Sequence, residues 1–236
     1  MKFKKYNKKM DISYTYGTFP TIDLLLKKPE IVKTVLLHPM GAGSSGEKRI
    51  KSLCEKNNIR YEIASKAIGR ISAKENTYAI GVFKKYTSSL DSGENHVVLV
   101  NPSSPGNLGT IVRSMVGFNI LNLGIIKPAT DIFDPKVVRS SMGSNFDLRF
   151  EYFDDFKDYS RKFPGYNLYP FILEGGKKVE DVTFKKPFTL IFGKESSGLP
   201  DNFKKMGTGV YIPHTKKIDS LNLSIAASIG IYESIK

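Results

Sequence analysis

Cysteine and histidine are scarce in this chain. A single cysteine, Cys54, excludes an internal disulfide framework and a cysteine-rich zinc site. The three histidines, His38, His96 and His214, lie far apart without metal-ligand spacing, so no metal is expected. No apolar run approaches the ~20 residues that a membrane span needs. The basic N-terminus, MKFKKYNKKMDISY, lacks the apolar segment of a signal peptide. The simplest inference is a soluble cytoplasmic protein without a metal.

The 236 residues suffice for one large domain or two small ones, and 40% apolar residues can build a real core. The formal net charge is +13. Residues 1–95 hold 18 Lys+Arg against 9 Asp+Glu, and residues 96–236 hold 18 against 14. Such an excess favours a polyanionic partner, nucleic acid first, although a merely solvated Lys-rich surface would look the same. Lys2, Lys4, Lys5, Lys8 and Lys9 interleave with Phe3 and Tyr6. That tail could follow phosphates while its rings stack on bases, or it could be a disordered terminus.

In the first part, Thr21-Ile22-Asp23 suggests a helix start, with Pro29 near its end. Val32–Leu37 reads as a strand, and Glu47–Asn57 as a helix carrying Ile50, Leu53 and Cys54 on one face. Arg60–Ile63 is expected as a strand, Ile68–Lys74 as a helix and Ala79–Phe83 as a strand. Gly41–Gly46 fits the dinucleotide fingerprint GxGxxG between a strand and a helix, with Glu62 in the next strand. Against an NAD-dependent oxidoreductase, His38-Pro39-Met40 separates the strand from the first glycine, and a flexible loop explains the glycines as well.

Lys84–Asn95 is polar and aperiodic and reads as an interdomain linker. Two domains are therefore expected, residues 1–88 and 96–236. Beyond the linker, strands are expected at Val97–Val100, Leu121–Ile126, Leu148–Tyr152, Leu168–Leu173, Leu190–Phe192 and Val210–Ile212. Helices are expected at Leu108–Val116, from Asp134-Pro135 to about Met142, at Asp154–Phe163 and at Ser220–Ile235. This alternation argues an α/β fold with a parallel sheet covered on both faces. Leu221, Ile225, Ile229 and Tyr232 form an apolar stripe that would pack on the sheet or on a partner subunit.

Three loops carry candidate chemistry. In NPSSPGNLGTIVR, Asn107 opens a helix and Arg113 lies two turns in, among apolar neighbours. A buried guanidinium there would need an anion; a surface Arg covering its neighbours would not. In LIFGKESSGLP, Gly193 and Gly198 frame a tight loop around Glu195, which is functional or caps the short helix near Pro200. In YIPHTKKIDSLNLS, Ser220 stands at an expected helix N-cap, and Asn222 is an unusual residue for a first turn.

Together these loops resemble the TrmH/SpoU family of RNA 2′-O-ribose methyltransferases, in the SPOUT superfamily. The first family motif matches Asn107 and Arg113. The second, Gly-x-Glu-x-x-Gly-Leu, matches Gly193, Glu195, Gly198 and Leu199. The third matches Ile212-Pro213 and Ser220–Ser224. The resemblance covers residues 96–236 and extends weakly over about 12–86, where YGTFPTIDLLL and ENTYAIGVF are similar to a ribosomal-protein-like RNA-binding module. It implies a parallel α/β domain with a trefoil knot, preceded by a small α/β RNA-binding domain.

The resemblance further implies S-adenosyl-L-methionine as cofactor, held by Gly193, Ile212, Leu221 and Asn222. It implies a homodimer in which Arg113 meets the partner's cofactor site. Arg113 would anchor a phosphate and orient the ribose hydroxyl, since a group of pKa above ~12 is a poor base. Asn107 and Asn222 would hydrogen-bond the ribose or Arg113, and Glu195 and Ser220 would hold the geometry. The chain departs from the pattern at His214–Lys217, where the family often has Met and Gly. The expected substrate is ribosomal RNA more than transfer RNA; the alternative is a non-catalytic RNA-binding protein of the same fold.

Overall fold

The structure, a computed structural model, describes residues 3–72 and 77–236. Two compact units emerge. One comprises residues 1–86 with 131–147, the other residues 87–130 with 148–236. The segment 131–147, expected in the second domain, thus packs with the first unit.

In the first unit, β1 (Ile12–Tyr14), β2 (Val32–Leu37), β3 (Tyr61–Ile63) and β4 (Ala79–Lys84) form a sheet of order β1-β4-β2-β3. Among the described residues β2 and β3 pair in parallel, and β4 pairs antiparallel with β1 and β2. The helices are α1 (Thr18–Lys27), α2 (Ser45–Lys56) and α3 (Ser65–Ile71). Helix α1 begins earlier than Thr21 because Gly17, at φ 108°, turns the chain into it. The expected end of α3 at Lys74 lies outside the described residues. The short β1 escaped the sequence reading, since three residues show no periodicity.

The Gly41–Gly46 loop is built for packing. Ser44 caps α2 by accepting from the Glu47 N–H, and Glu47 accepts from the Gly43 N–H at 2.7 Å. The N-terminus of α2 therefore already holds a carboxylate where a pyrophosphate would sit. A Cβ on Gly46 would lie 2.5 Å from Thr18 Cγ2, so this glycine lets α1 and α2 touch. Together with the mixed sheet, this overturns the dinucleotide reading.

From Phe3 onward the N-terminal tail is neither loose nor a free stacking platform. Phe3 is buried against Tyr14, Leu36 and Ile80, and Tyr6 donates to Asp131 at 2.6 Å. Asp131 also pairs with Lys85 at 2.8 Å. Helix α5 (Pro135–Ser140) starts at its expected Asp134 cap. Phe133 and Phe146 on either side of it meet the edge of Phe83.

In the second unit, β5 (His96–Val100), β6 (Asn122–Ile126), β7 (Arg149–Phe153), β8 (Asn167–Pro170) and β10 (Phe188–Phe192) form one parallel sheet. Its order is β7-β6-β5-β10-β8. The expected strand at Val210–Ile212 stays outside this sheet. It forms β11 (Val210–Tyr211), paired with the two-residue β9 (Lys177–Lys178). The helices are α4 (Pro105–Gly117), α6 (Phe156–Lys162) and α7 (Leu223–Ser234). Strands alternate their side chains, and Val98, Val100, Ile126, Phe153 and Ile191 meet Phe156, Tyr159 and Phe163 on one face. On α7 the buried residues are mostly small, namely Ser224, Ala227, Gly230 and Ser234 with Ile231. Gly230 lies against the stacked rings of Phe171 and Phe192. The polar stretch before β5 is anchored, with Leu90 buried and Asp91 paired with Arg149 at 2.5 Å.

His96 is wholly buried at the start of β5. Its Nε2 faces the Asp91 carbonyl at 2.8 Å, which only accepts, so Nε2 carries the proton. Nδ1 then accepts from Tyr159 at 2.8 Å, whose hydroxyl is 2.7 Å from Thr189. Burial lowers the imidazole pKa, outweighing the Asp91 carbonyl that would raise it. The unfolded state therefore takes up this proton first, and stability should fall as pH drops below ~6.5. Urea melts between pH 5 and 7.5 are expected to show that slope, and His96→Asn to flatten it. Ile191→Ala should cost about 2–5 kcal/mol, read from the same melts at pH 7.5.

Candidate active site

The sheet order creates the site. After β5 the chain winds outward through β6 to β7, whereas β10 inserts on the other side of β5. The loops leaving β5 and β10 thus part at a switch point, where open parallel sheets place ligands. All three motif loops gather there.

The loop after β10 is a closed hairpin. Lys194 and Gly198 exchange backbone hydrogen bonds of 3.2 and 2.8 Å. Gly198 sits at φ 65°, and a Cβ on Gly193 would lie 2.1 Å from the Gly198 carbonyl carbon. No side chain fits at Gly193 without opening the hairpin. Its tip carries Glu195 to the start of α4. There Glu195 Oε2 accepts from the Ser103 N–H at 3.2 Å and the Ser103 hydroxyl at 2.8 Å. Oε1 accepts from the Ser104 N–H at 3.0 Å and Asn107 Nδ2 at 3.4 Å. Burial alone would raise this carboxyl's pKa; hydrogen bonds from its own amide and from Ser104 and Ser103 lower it. The cap expected for a short helix near Pro200 is therefore not its role.

The third loop joins from the other side. Asn222, not Ser220, is the N-cap of α7, accepting from the Ser224 N–H at 2.8 Å and the Ser224 hydroxyl at 2.7 Å. Its Nδ2 donates to Asn107 Oδ1 at 3.2 Å. This fixes both amides, in the order Asn222 to Asn107 to Glu195. Ser220 is exposed three residues before the helix. Asn222 is unusual only in a helix that starts at Ser220; as the N-cap of one that starts at Leu223 it is ordinary.

Among the described residues, 213–221 form no helix or strand, and Lys216 and Lys217 make a turn. His214 Nδ1 lies 2.9 Å from the Ile212 carbonyl, and Lys216 and Lys217 are exposed. Ile212 and Leu221 are half-buried at the two ends of the stretch. An irregular stretch between two apolar residues suits a ligand held in part by backbone donors and acceptors.

Arg113 stands apart. It is exposed, with no ion pair among the described residues, so the burial cost considered from its apolar neighbours does not arise. It follows Asn107 by about 240° of helix turn, so the two side chains leave α4 roughly 120° apart. Arg113 shares the exposed face of α4 with Gly106, Thr110 and Gly117. Beside that face α7 packs through Ser114 Oγ and Ser228 Oγ at 2.7 Å. The expected apolar stripe of α7 does not face the sheet: Ile225 and Tyr232 are 51% and 46% exposed. Among the described residues no cluster of His, Cys, Asp or Glu is placed to hold a metal ion. No described helix is long and apolar enough to cross a membrane.

Known proteins align with this arrangement. The chain is 27% identical over 221 residues to the Bacillus subtilis 23S rRNA (guanosine(2553)-2′-O)-methyltransferase RlmP, covering 89% of this chain and 84% of that protein. It is 30% identical over 141 residues to an uncharacterized tRNA/rRNA methyltransferase of Synechocystis, covering 58% of this chain and about half, 52%, of that protein. The AdoMet-bound rRNA methyltransferase from Sinorhizobium meliloti superimposes with a TM-score of 0.79 at 25% identity, over 95% of this chain and 87% of that one. Residues 94–232 match the SpoU rRNA methylase family, and the chain belongs to that family.

Proposed function

We propose that the chain is an S-adenosylmethionine-dependent RNA 2′-O-ribose methyltransferase, acting on ribosomal RNA in the cytoplasm as a homodimer. The observation that carries this reading is the Glu195 clamp, which joins the hairpin after β10 to the start of α4 at the switch point. The S-adenosylmethionine site fits the bare hairpin at Gly193, the irregular stretch 213–221, and Ile212 and Leu221 as apolar walls. When bound, that cofactor supplies an electrophilic methyl group on a sulfonium.

The chain's own residues do the rest by positioning. Glu195, Asn107 and Asn222 hydrogen-bond one another and hold the two helix N-termini in register. Arg113 has five donors and no ion pair among the described residues, and a guanidinium suits a phosphate of the bound RNA. Anchoring that phosphate aligns the ribose hydroxyl. Ser220, exposed beside the site, is free to accept or donate at that hydroxyl. The 120° divergence of Arg113 from Asn107 supports a site shared between subunits. The exposed face formed by Arg113 on α4 and by Ile225 and Tyr232 on α7 would be the interface. The C-terminal trefoil knot and the RNA-binding role of the first unit belong to this reading. The first unit supports that role by holding 20 Lys+Arg against 10 Asp+Glu.

Incubation with methyl-labelled S-adenosylmethionine and RNA from cells lacking the protein should label the RNA. Binding of RNA without labelling would favour the non-catalytic alternative. Arg113→Ala should lower methyl transfer by about 100-fold or more, with unchanged thermal unfolding. Mixing Arg113→Ala and Gly193→Val subunits should restore activity that neither has alone; no recovery would place Arg113 and the cofactor loop in one subunit. Ile225→Glu with Tyr232→Glu should give a monomer by sedimentation.

A further inference from the structure

Helix α1 has three environments around its circumference. Thr18 and Ile22 face α2, Thr21 and Leu24 face the sheet, and Pro20 and Asp23 face Gly143. The remaining stripe points outward and carries Phe19, 67% exposed, and Leu26, 49% exposed. Seven residues separate them, so they align along the helix about 10 Å apart. A parallel stripe borders it on α2. Gly46 touches Thr18, and Arg49 lies about 60° from Gly46 around α2, on the side away from buried Ile50 and Cys54. Lys56 follows Arg49 by seven residues. Arg49 and Lys56 are exposed and have no ion pair among the described residues; Glu47 of the same helix pairs with Lys51. Half-buried Leu53 lies between the two stripes.

An exposed aromatic ring beside two unneutralised cations, on the unit that holds most of the net charge, matches an unpaired nucleic-acid strand. A protein partner would use the apolar stripe but leaves the cations unexplained. We propose that the α1–α2 seam binds single-stranded RNA, with Phe19 stacking on one base and Arg49 and Lys56 contacting flanking phosphates. This rests on the RNA-directed function above and names the part of the substrate that the first unit reads, a loop or an unpaired segment.

The test is fluorescence anisotropy of the full chain with a short labelled single-stranded RNA and with a duplex RNA. Phe19→Ala should weaken single-strand binding by about 5- to 150-fold. Phe19→Tyr should bind like the parent, and Phe19→Leu like the alanine variant. Arg49→Ala with Lys56→Ala should reduce the slope of log K against log salt by about 1.4, at ~0.7 for each phosphate on a single strand. Duplex binding should be insensitive to Phe19. Unchanged single-strand affinity in Phe19→Ala, or an equal loss on duplex, would overturn the seam while leaving the methyltransferase reading intact. A parent chain that transfers methyl groups yet binds neither probe would also overturn the seam. One that neither binds nor methylates RNA would overturn the underlying function.

Discussion

The Glu195 carboxylate is the interaction on which the second unit's site depends. It stands at the tip of a five-residue hairpin whose closure requires Gly193 and Gly198. From there it collects two backbone N–H groups and a hydroxyl from Ser103 and Ser104, and an amide from Asn107. These include donors at the N-terminus of α4, where the helix dipole also favours an anion. Ionised, the carboxylate satisfies them all. Protonated, or replaced by an amide, it would set a donor against donors. The same contact that organises the loop after β5 also sets the hairpin after β10, so neither loop has its geometry independently.

Asn107 and Asn222 extend that contact across to α7. Each uses its amide in both directions: Asn107 donates to Glu195 and accepts from Asn222, while Asn222 donates to Asn107 and accepts from Ser224. They are therefore largely engaged with protein rather than waiting for ligand. Arg113 and Ser220 are the polar groups of the motif set without a hydrogen bond or ion pair among the described residues. This divides the motif residues physically into a hydrogen-bonded frame of three and an exposed pair. Arg113 leaves α4 roughly 120° from Asn107, away from the frame.

Much of this was legible in the sequence. Val32–Leu37 matched β2 residue for residue, and the Asp134-Pro135 start of α5 was correct, because β-branched runs and capped prolines are local signals. The motif residues were legible too, since Gly193, Glu195, Asn107 and Asn222 do converge. Roles were less so. Ser220 looked like a cap because Ser is a good one, and only the backbone shows that the helix waits for Asn222. The packing of 131–147 with the first unit depends on contacts more than 100 residues apart, such as Tyr6 with Asp131. No periodicity encodes such a contact. The fingerprint at Gly41–Gly46 misled for a related reason: glycine spacing does not reveal that Glu47 already fills the helix N-terminus.

The central claim is that this frame delivers a methyl group to a ribose oxygen and not to a base. Methylated 2′-oxygens block alkaline cleavage of the adjacent phosphodiester. Labelled RNA hydrolysed in alkali should therefore yield its label in alkali-resistant dinucleotides. Label recovered in mononucleotides would mean that a base is the acceptor, and would contradict the account.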